Sequence, residues 1–221
     1  MGKRTMIVLA TRNKGKTEEI RDLLKQFPVD LKNLDDFGPI PNVVEDGATF
    51  DENAYKKASF TARVLGIPAI ADDSGLVVEA LGGAPGVYSA RYAGEDASDE
   101  DNVNKLLAEM KGQADRRAAF ECVISLAVPK GTALTYEGRC EGVIAEAPSG
   151  NNGFGYDPVF FHPESGKTFA EINLADKGKV SHRGKALNEM AAEFDKVLVW
   201  IDQNMPAPVK QGCMSGDHGQ E

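Results

Sequence analysis

The chain has 221 residues, of which 42% are hydrophobic and 27% are charged, and its formal net charge is −9. This length allows one large domain, or two lobes around a cleft, with a core that needs no disulfides. The acidic balance argues against nucleic acid as the main partner, and no apolar run is long enough to cross a membrane. Three widely spaced cysteines without a CxxC pair fit a reducing, cytoplasmic compartment.

The first part of the chain predicts a strand and two helices. The apolar run at residues 6–10 predicts a buried strand, and residues 16–27 have the apolar spacing of one helix face. Thr49 is a predicted helix N-cap, and the helix after it is expected to end near Leu65. A strand followed by a loop and a helix is typical of a parallel sheet with a crossover connection.

Acidic and glycine-rich segments follow. Residues 69–71 predict a short strand, and residues 72–75, Asp-Asp-Ser-Gly, predict a turn. Residues 76–81 are then expected to pair back as a second strand. The glycine-rich stretch at residues 82–94 is too long for a simple turn and predicts a loop.

The second half of the chain is richer in strands. It predicts a helix at residues 99–111 and two apolar strands at residues 118–128 and 134–147. Residues 183–202 predict a long final helix, and the polar residues 203–221 predict a disordered tail. Together these elements predict an α/β fold with one mixed β-sheet, in two lobes around a central cleft.

The segment that leads into the first helix is a candidate phosphate site. Backbone N–H groups at a helix N-terminus attract phosphate, and Lys16 adds a positive charge. Gly15, Lys16 and Thr17 fit the end of a P-loop, but Ala10 stands where that motif requires glycine. On the local sequence alone, an ordinary turn with solvated lysines is an equally good interpretation.

Asp72 and Asp73 are the candidate metal-binding and catalytic pair. Carboxylates at the end of a strand lie at the mouth of an α/β crevice, and two of them suit Mg²⁺. One carboxylate could hold the metal while the other takes a proton from water. Neighbouring strand residues point to opposite faces, so both serve one site only if the chain turns at once, as Ser74 and Gly75 predict. Taken alone, the pair favours a simple turn.

Three further features carry a functional and a structural interpretation each. Glu45, before the second helix, is a third metal ligand or a favourable charge near a helix N-terminus. Phe154, between two glycines, is a ring open to stacking on a base or a core anchor. His182 and Arg183 are donors that could read a base carbonyl or belong to a solvated helix start.

Taken together, these motifs occur in a fixed order. They are Thr11-x-Asn13-x-x-Lys16, Phe50-x-Glu52-Asn53-Ala54-x-x-Lys57, Ala71-Asp72-Asp73-Ser74-Gly75, Gly82-Gly83-Ala84-Pro85-Gly86, Gly153-Phe154-Gly155-Tyr156-Asp157 and Ser181-His182-Arg183-Gly184. The ordered set resembles the inosine triphosphate pyrophosphatase family, which acts on noncanonical purine nucleoside triphosphates. The resemblance covers about residues 7–200, and the ordered set is far more specific than any one motif.

The resemblance implies an elongated mixed sheet in a single two-lobed domain, residues 1–202, and a homodimer. It implies Mg²⁺-dependent cleavage of ITP, dITP or XTP to the monophosphate and pyrophosphate. Glu45 and Asp73 are expected to hold the metal with Asp72 close by, and Asp73 is expected to accept the proton. The implied substrate-binding residues are Thr11, Arg12, Asn13, Lys14, Gly15, Lys16, Lys57, Ser74, Phe154, Gly155, Tyr156, Asp157, Lys177, His182 and Arg183.

Base choice has a physical account in this scheme. Hypoxanthine and xanthine carry an acceptor oxygen at C6, where adenine carries an amino donor. Donors such as His182 and Arg183 would favour the oxo form and leave an unpaired group against adenine. The alternatives are a P-loop NTPase, a pyrophosphatase of pyrimidine or modified nucleoside triphosphates, and a nucleotide sensor without activity.

Overall fold

A computed structural model describes residues 4–206, and a mixed β-sheet is its framework. The strands are β1 (Thr5–Leu9), β2 (Val29–Asn33), β3 (Ala69–Val78), β4 (Arg117–Ala127), β5 (Ala133–Ile144), β6 (Phe160–His162) and β7 (Lys167–Thr168). The helices are α1 (Lys14–Leu24), α2 (Phe50–Leu65), α3 (Asp99–Glu109), α4 (Leu174–Val180), α5 (His182–Ala192) and α6 (Phe194–Asn204).

The seven strands lie in the order β2-β1-β3-β4-β5-β6-β7. β1 pairs in parallel with β2 and β3, and every pair from β3 to β7 is antiparallel. The sheet is therefore parallel at one end, where crossover helices connect strands, and built of hairpins at the other. This arrangement confirms the predicted mixed α/β fold with flanking helices. No helix within residues 4–206 is long and apolar enough to span a membrane.

A capping residue precedes each of the first two helices: Asn13 before α1 and Thr49 before α2. Thr49 accepts a hydrogen bond from the Glu52 N–H and caps α2, which ends at Leu65 before Gly66 in the left-handed conformation (φ 68°). α1 begins at Lys14, two residues earlier than predicted. The reason is that the Asn13 side chain accepts from the Lys16 N–H and caps the helix there.

The predicted turn at residues 72–75 is wrong. β3 continues without a break from Ala69 to Val78, and each of its ten residues lies opposite a residue of β4. Because this ladder supplies backbone hydrogen bonds over the full length, it outweighs the local turn preference of Asp-Asp-Ser-Gly. Consequently Asp72 and Asp73 point to opposite faces of the sheet.

The remaining differences concern edges and connections. The edge strands β2 and β7, the three-residue strand β6 and the short helix α4 were not predicted. The predicted final helix is two helices, since the backbone leaves helical geometry at Glu193 (φ −124°, ψ 23°). The glycine-rich loop contains a 3₁₀ helix at Gly86–Arg91. Of the predicted disordered tail, residues 203–204 complete α6, and most of it lies outside the described residues.

The hydrophobic core divides into two main clusters along the sheet. One cluster joins α1, α5 and α6 to the sheet and contains Ile20, Leu187 and Phe194. The other joins α3 to β4 and β6 and contains Leu106 and Phe160. Helix α2 packs on β3 and β4 and meets β1 through a third cluster that is rich in alanine. The two main clusters are consistent with two lobes.

Candidate active site

Two adjoining pockets open beside β3 and share Asn13, Lys16, Ser74 and Ala90 in their walls. The first, which we call the carboxylate pocket, is also lined by Thr11, Arg12, Glu45, Lys57, Asp73 and Arg91. The second, which we call the aromatic pocket, is also lined by Phe120, Phe154, Tyr156, Lys177, His182 and Arg183. Most of the residues expected from the sequence therefore lie along one continuous groove.

Asp73 occupies the face of β3 that α2 covers. Its Oδ1 accepts from Lys57 Nζ at 2.8 Å, and its Oδ2 accepts from Asn53 Nδ2 at 3.2 Å. Lys57 Nζ also donates to Glu45 Oε2 at 3.0 Å. Lys57 therefore lies between two carboxylates that belong to different segments of the chain.

The carboxylates of the carboxylate pocket have pKa values shifted in opposite directions. Burial raises the pKa of Asp73, and the opposing charge of Lys57 only partly offsets this. Burial also raises the pKa of Glu45, but Lys57 and Lys16 outweigh it, and the net pKa is lowered. The environment of Asp73 thus favours proton uptake, which suits a proton acceptor, whereas that of Glu45 favours the ionised form.

The same pocket has donors that fit a hard divalent cation. Two carboxylates converge on one ammonium group, so one negative charge is left over at this point. Mg²⁺ in enzymes is commonly held by one or two carboxylates together with substrate phosphates and water. Within residues 4–206 no group of three or more His, Cys, Asp or Glu side chains is arranged for a metal. Such an ion would therefore depend on substrate oxygens for part of its shell.

Asp72 lies on the other face of β3 and is 1% exposed. Its Oδ2 accepts from Arg183 Nε at 3.1 Å and Nη2 at 2.9 Å, and from the Ser74 hydroxyl at 3.2 Å. Lys16 Nζ lies 3.1 Å from the same oxygen. Asp72 therefore anchors two cations of the groove wall, and it does not itself line either pocket.

A buried chain of alternating charges extends from Asp72. Arg183 contacts Glu19 as well as Asp72, and Glu19 Oε1 accepts from Lys177 Nζ at 2.8 Å. Lys177 Nζ also donates to Asp157 Oδ2 at 2.6 Å. Each of these five side chains is less than a tenth exposed. The cations that were expected to frame a base are thus held by carboxylates of the protein.

These contacts determine the charge states on this side of the sheet. Burial raises the pKa of Asp72, but Lys16 and Arg183 lower it by more, and the net pKa lies far below its usual range. Burial lowers the pKa of His182 well below its ordinary value, and Arg183 and Lys177 add to the shift. The His182 imidazole is therefore neutral at pH 7, with one nitrogen as donor and one as acceptor. Its ring stacks on Phe120 at 4.6 Å.

The loop at residues 153–157 closes the aromatic pocket. The Phe154 ring packs against Gly15, where an added Cβ would lie 2.3 Å from the ring. Lys177 Nζ lies 5.0 Å from the Phe154 centroid, within range of a cation–π contact. Tyr156 donates its hydroxyl to the Ser89 carbonyl at 2.8 Å, and the Gly155 N–H donates to Asp99 at 2.7 Å. The ring of Phe154 therefore has a fixed place between α1 and the buried cations.

The predicted phosphate segment is only partly brought into the groove. Thr11 Oγ1 accepts from the Asn13 N–H at 3.2 Å, which shapes the turn before α1. Arg12 lines the carboxylate pocket, but its guanidinium donates to the Ile40 carbonyl at 3.0 Å. Lys14 is exposed and lines neither pocket.

Sequence reasoning missed several residues that organise the groove. It gave Glu19 no role, and it placed Asn53 in a motif without assigning it a contact. Ser89 was also missed; its hydroxyl accepts from the Leu76 N–H at 2.9 Å and ties the 3₁₀ helix to β3. Asn53 had one usable signal, its position one turn before Lys57 on the same helix face. Glu19 had none, since its partners lie 158 and 164 residues away in sequence.

The two joined pockets, one lined by aromatic rings and one lined by charged side chains, fit a ligand that has an aromatic end and an anionic end. The model of the Ham1 family matches residues 7–193. A dITP/XTP pyrophosphatase of Syntrophobacter fumaroxidans is 62% identical over 218 residues, 96% of this chain and 94% of that protein. A dITP/XTP pyrophosphatase of Desulfotalea psychrophila is 58% identical over 200 residues, 90% of each chain. The chain belongs to the Ham1 family.

The fold agrees with solved structures of the same family. A HAM1 protein from Coxiella burnetii matches with a TM-score of 0.80 at 41% identity, over 87% of this chain and 99% of that one. The Ham1 protein of Staphylococcus aureus matches with a TM-score of 0.78 at 42% identity, over 87% and 100%. The resemblance found in the ordered motifs is thereby confirmed.

Proposed function

We propose that this chain is a Mg²⁺-dependent pyrophosphatase of noncanonical purine nucleoside triphosphates. It cleaves ITP, dITP or XTP between the α- and β-phosphates and releases the monophosphate and pyrophosphate. The observation that carries the proposal is the continuity of the aromatic and carboxylate pockets, with Lys16 and Ser74 in both walls. Relatives of 62% and 58% identity that are named dITP/XTP pyrophosphatases support the same reaction.

The phosphates are bound at the junction of the two pockets and in the carboxylate pocket. Phosphoryl transfer depends mainly on positioning and charge neutralisation. Lys16 and Lys57 supply positive charge there, and the N-terminus of α1, from Asn13 to Lys16, supplies free N–H groups. Thr11, Arg12, Lys14 and Gly15 shape the same segment.

Asp73 accepts the proton of the attacking water, and Glu45 and Asp73 hold the metal. The raised pKa of Asp73 supports its role as base, while Lys57 and Asn53 fix its two oxygens. When bound, Mg²⁺ supplies charge neutralisation at the phosphate oxygens. Asp72 acts at a distance from the metal, by holding Arg183 and Lys16 in place.

The base is bound in the aromatic pocket. Phe154 offers a face for stacking, and Tyr156, Gly155 and Asp157 fix the loop that carries it. The neutral His182 provides one donor for a C6 oxygen, and Arg183 and Lys177 line the same pocket. A purine with an amino group at C6 would bring a donor to the donor nitrogen of His182 in place of an acceptor, which disfavours adenine.

We also propose that the protein works as a homodimer in the cytoplasm. Val44 and Tyr88 are large exposed apolar side chains, and Arg91 joins their segments by donating to the Glu45 carbonyl and stacking over Tyr88. These two side chains are the candidate apolar part of a dimer surface. The buried free thiols of Cys122 and Cys140 support a reducing compartment. Light scattering of the purified protein tests the dimer.

A substrate panel with Mg²⁺ tests the activity. ITP, dITP, XTP, ATP, GTP, dTTP and UTP are incubated with the protein, and pyrophosphate and orthophosphate are measured separately. The expected result is pyrophosphate as the first product, with the highest kcat/KM for ITP, dITP or XTP. Orthophosphate as the first product, or a preference for dTTP or UTP, would contradict the proposal.

A further inference from the structure

Asn53 connects the two carboxylates of the carboxylate pocket through a path that does not involve Lys57. Its side chain is 1% exposed and uses both ends of the amide. Nδ2 donates to Asp73 Oδ2 at 3.2 Å, and Oδ1 accepts from the Gly47 N–H at 2.8 Å. Gly47 lies two residues after Glu45. The side chain therefore joins β3 to the segment that carries Glu45.

That segment depends on such contacts for its position. Residues 41–47 form neither helix nor strand, and the Glu45 side chain is 39% exposed. Besides Asn53, the contacts that hold it include Lys57, which donates to the Glu45 carboxylate, and Arg91, which donates to its carbonyl at 3.2 Å. The Lys57 contact is an ion pair with the same oxygens that would face a cation. The Asn53 contact is neutral and uses a backbone N–H, so it is independent of that competition.

The hydrogen bond between the Gly47 N–H and Asn53 leaves no space for a side chain at position 47. A Cβ added at Gly47 would lie 2.6 Å from Asn53 Oδ1 and 2.8 Å from Glu52 Cβ. Glycine is therefore required at position 47 by the close approach of the segment to α2. Asparagine is suited to position 53 because it donates at one end and accepts at the other, which neither aspartate nor leucine does.

We propose that Asn53 is a positioning residue that sets the spacing of Glu45 and Asp73 for the divalent cation. This inference rests on the proposed function. By occupying Asp73 Oδ2, Asn53 leaves Oδ1 directed toward Lys57 and Glu45, the point where the two carboxylates converge. Outer hydrogen-bond partners of metal ligands orient those ligands and strengthen metal binding.

Asn53→Leu tests the proposal, because it keeps the size of the side chain and removes both hydrogen bonds. Mg²⁺ is titrated by calorimetry into protein saturated with an ITP analogue that has a methylene group between the α- and β-phosphates. The expected result is Mg²⁺ binding weaker by about 10- to 100-fold. The KM for ITP at saturating Mg²⁺ is expected to change little, since Lys16 and the aromatic pocket are untouched. A merely structural role would not weaken Mg²⁺ selectively.

Two further variants sharpen the test. Gly47→Ala pushes on Asn53 from the opposite side and is expected to weaken Mg²⁺ in the same direction. Asn102→Leu is the matched control for Mg²⁺ binding at saturating analogue: Asn102 is 3% exposed, lies in the wall of the aromatic pocket, and bridges the Ala93 N–H and the Ala90 carbonyl without reaching either carboxylate. It is expected to lose stability but to keep its Mg²⁺ affinity.

The outcomes separate this inference from the proposed function. Wild-type affinity for Mg²⁺ in folded Asn53→Leu overturns the inference, and so does equal weakening in Asn102→Leu. Should Asn53→Leu fail to fold, unchanged Mg²⁺ affinity in Gly47→Ala overturns it instead. If the wild-type protein neither binds Mg²⁺ nor releases pyrophosphate from ITP, the proposed function itself is contradicted.

Discussion

Asp72 and Asp73 are neighbours in sequence but belong to two different environments. Asp72 is fully enclosed and bound to Arg183 and Lys16 on one face of β3. Asp73 faces the carboxylate pocket on the other side, where Lys57 is the one cation hydrogen-bonded to it among the described residues. Because successive strand residues point to opposite faces, the continuity of β3 alone separates them.

The difference lies in how completely each carboxylate is neutralised. On the Asp72 side, three carboxylates alternate with three cations in one series that is buried except at Lys16 in the groove wall, so the charges balance. On the Asp73 side, two carboxylates share one lysine. A chain of paired charges fixes the positions of its members, whereas two carboxylates that share one ammonium group are incompletely paired and can take a further cation. We infer that the first side positions residues and the second performs chemistry.

The largest expected effect is on activity, in Asp73→Asn. Removing a general base lowers kcat by about 10²- to 10⁴-fold. Pyrophosphate release from ITP measures the loss, and calorimetry with the α,β-methylene analogue checks that nucleotide still binds. Turnover near the wild-type rate would remove Asp73 from the mechanism. It would also contradict the inference that the Asp73 side performs the chemistry.

The next effect is on stability, in Asp72→Asn. This change leaves Arg183 paired with one carboxylate, Glu19, and removes the carboxylate next to Lys16. Breaking a buried ion pair by removing one partner costs about 3–5 kcal/mol of the free energy of unfolding. Urea unfolding measures it, and Asp73→Asn serves as the matched control. Asp73→Asn should cost less, because the raised pKa of Asp73 shows that folding disfavours its ionised form. Equal losses would contradict the assignment.

The sequence contained much of this fold in its local signals. Thr49 and Gly66 mark both ends of α2, and the apolar runs of β4 and β5 flank a short Pro-Lys-Gly connection. Capping, breaking and alternation act over a few residues, so a single sequence reveals them. The mixed α/β class followed from these elements, while the specific groove followed from the ordered motifs.

What the sequence did not reveal depends on distant contacts. Asp-Asp-Ser-Gly has the composition of a turn, and only pairing with β4 makes it a strand. β2 is an edge strand with alternating charges, so it lacks the apolar run of a buried strand. Glu19 resembles any glutamate on an amphipathic helix, because nothing near it in sequence indicates Arg183 or Lys177 as partners.

A smaller effect is expected at the aromatic pocket, in Gly15→Ala. The added Cβ lies 2.3 Å from the Phe154 ring, which must move away from α1. Overpacking of this kind costs about 1–3 kcal/mol. We expect a higher KM for ITP and a lower urea midpoint. Gly178→Ala is the control, since its Cβ would meet only Leu23 at 3.8 Å. Equal behaviour of the two variants would show that the place of Phe154 does not matter for nucleotide binding.

The smallest effect is a difference in pH dependence within the buried charge chain. Burial raises the pKa of Glu19, but Arg183 and Lys177 lower it by more, and the net pKa lies below its ordinary 4.5. Glu19 therefore stabilises the fold above about pH 4.5, and this contribution is lost as the pH falls through the folded pKa. Asp157 has the opposite sign, because burial raises its pKa more than Lys177 lowers it.

Urea unfolding from about pH 6 to about pH 3 separates the two cases, at about 1.4 kcal/mol per unit of pKa shift. The difference in free energy of unfolding between wild type and Glu19→Gln should decrease as the pH falls, because unfolded wild type binds the Glu19 proton more readily than the folded protein, and Gln binds none. The difference in free energy of unfolding between wild type and Asp157→Asn should increase as the pH falls, because folded wild type binds the Asp157 proton more tightly than the unfolded chain does. If both differences decreased together, the ionised state of Asp157 would be the stabilised one. The opposing charges around Asp157 would then outweigh the effect of its burial. The difference in charge neutralisation between the Asp72 side and the Asp73 side would be greater.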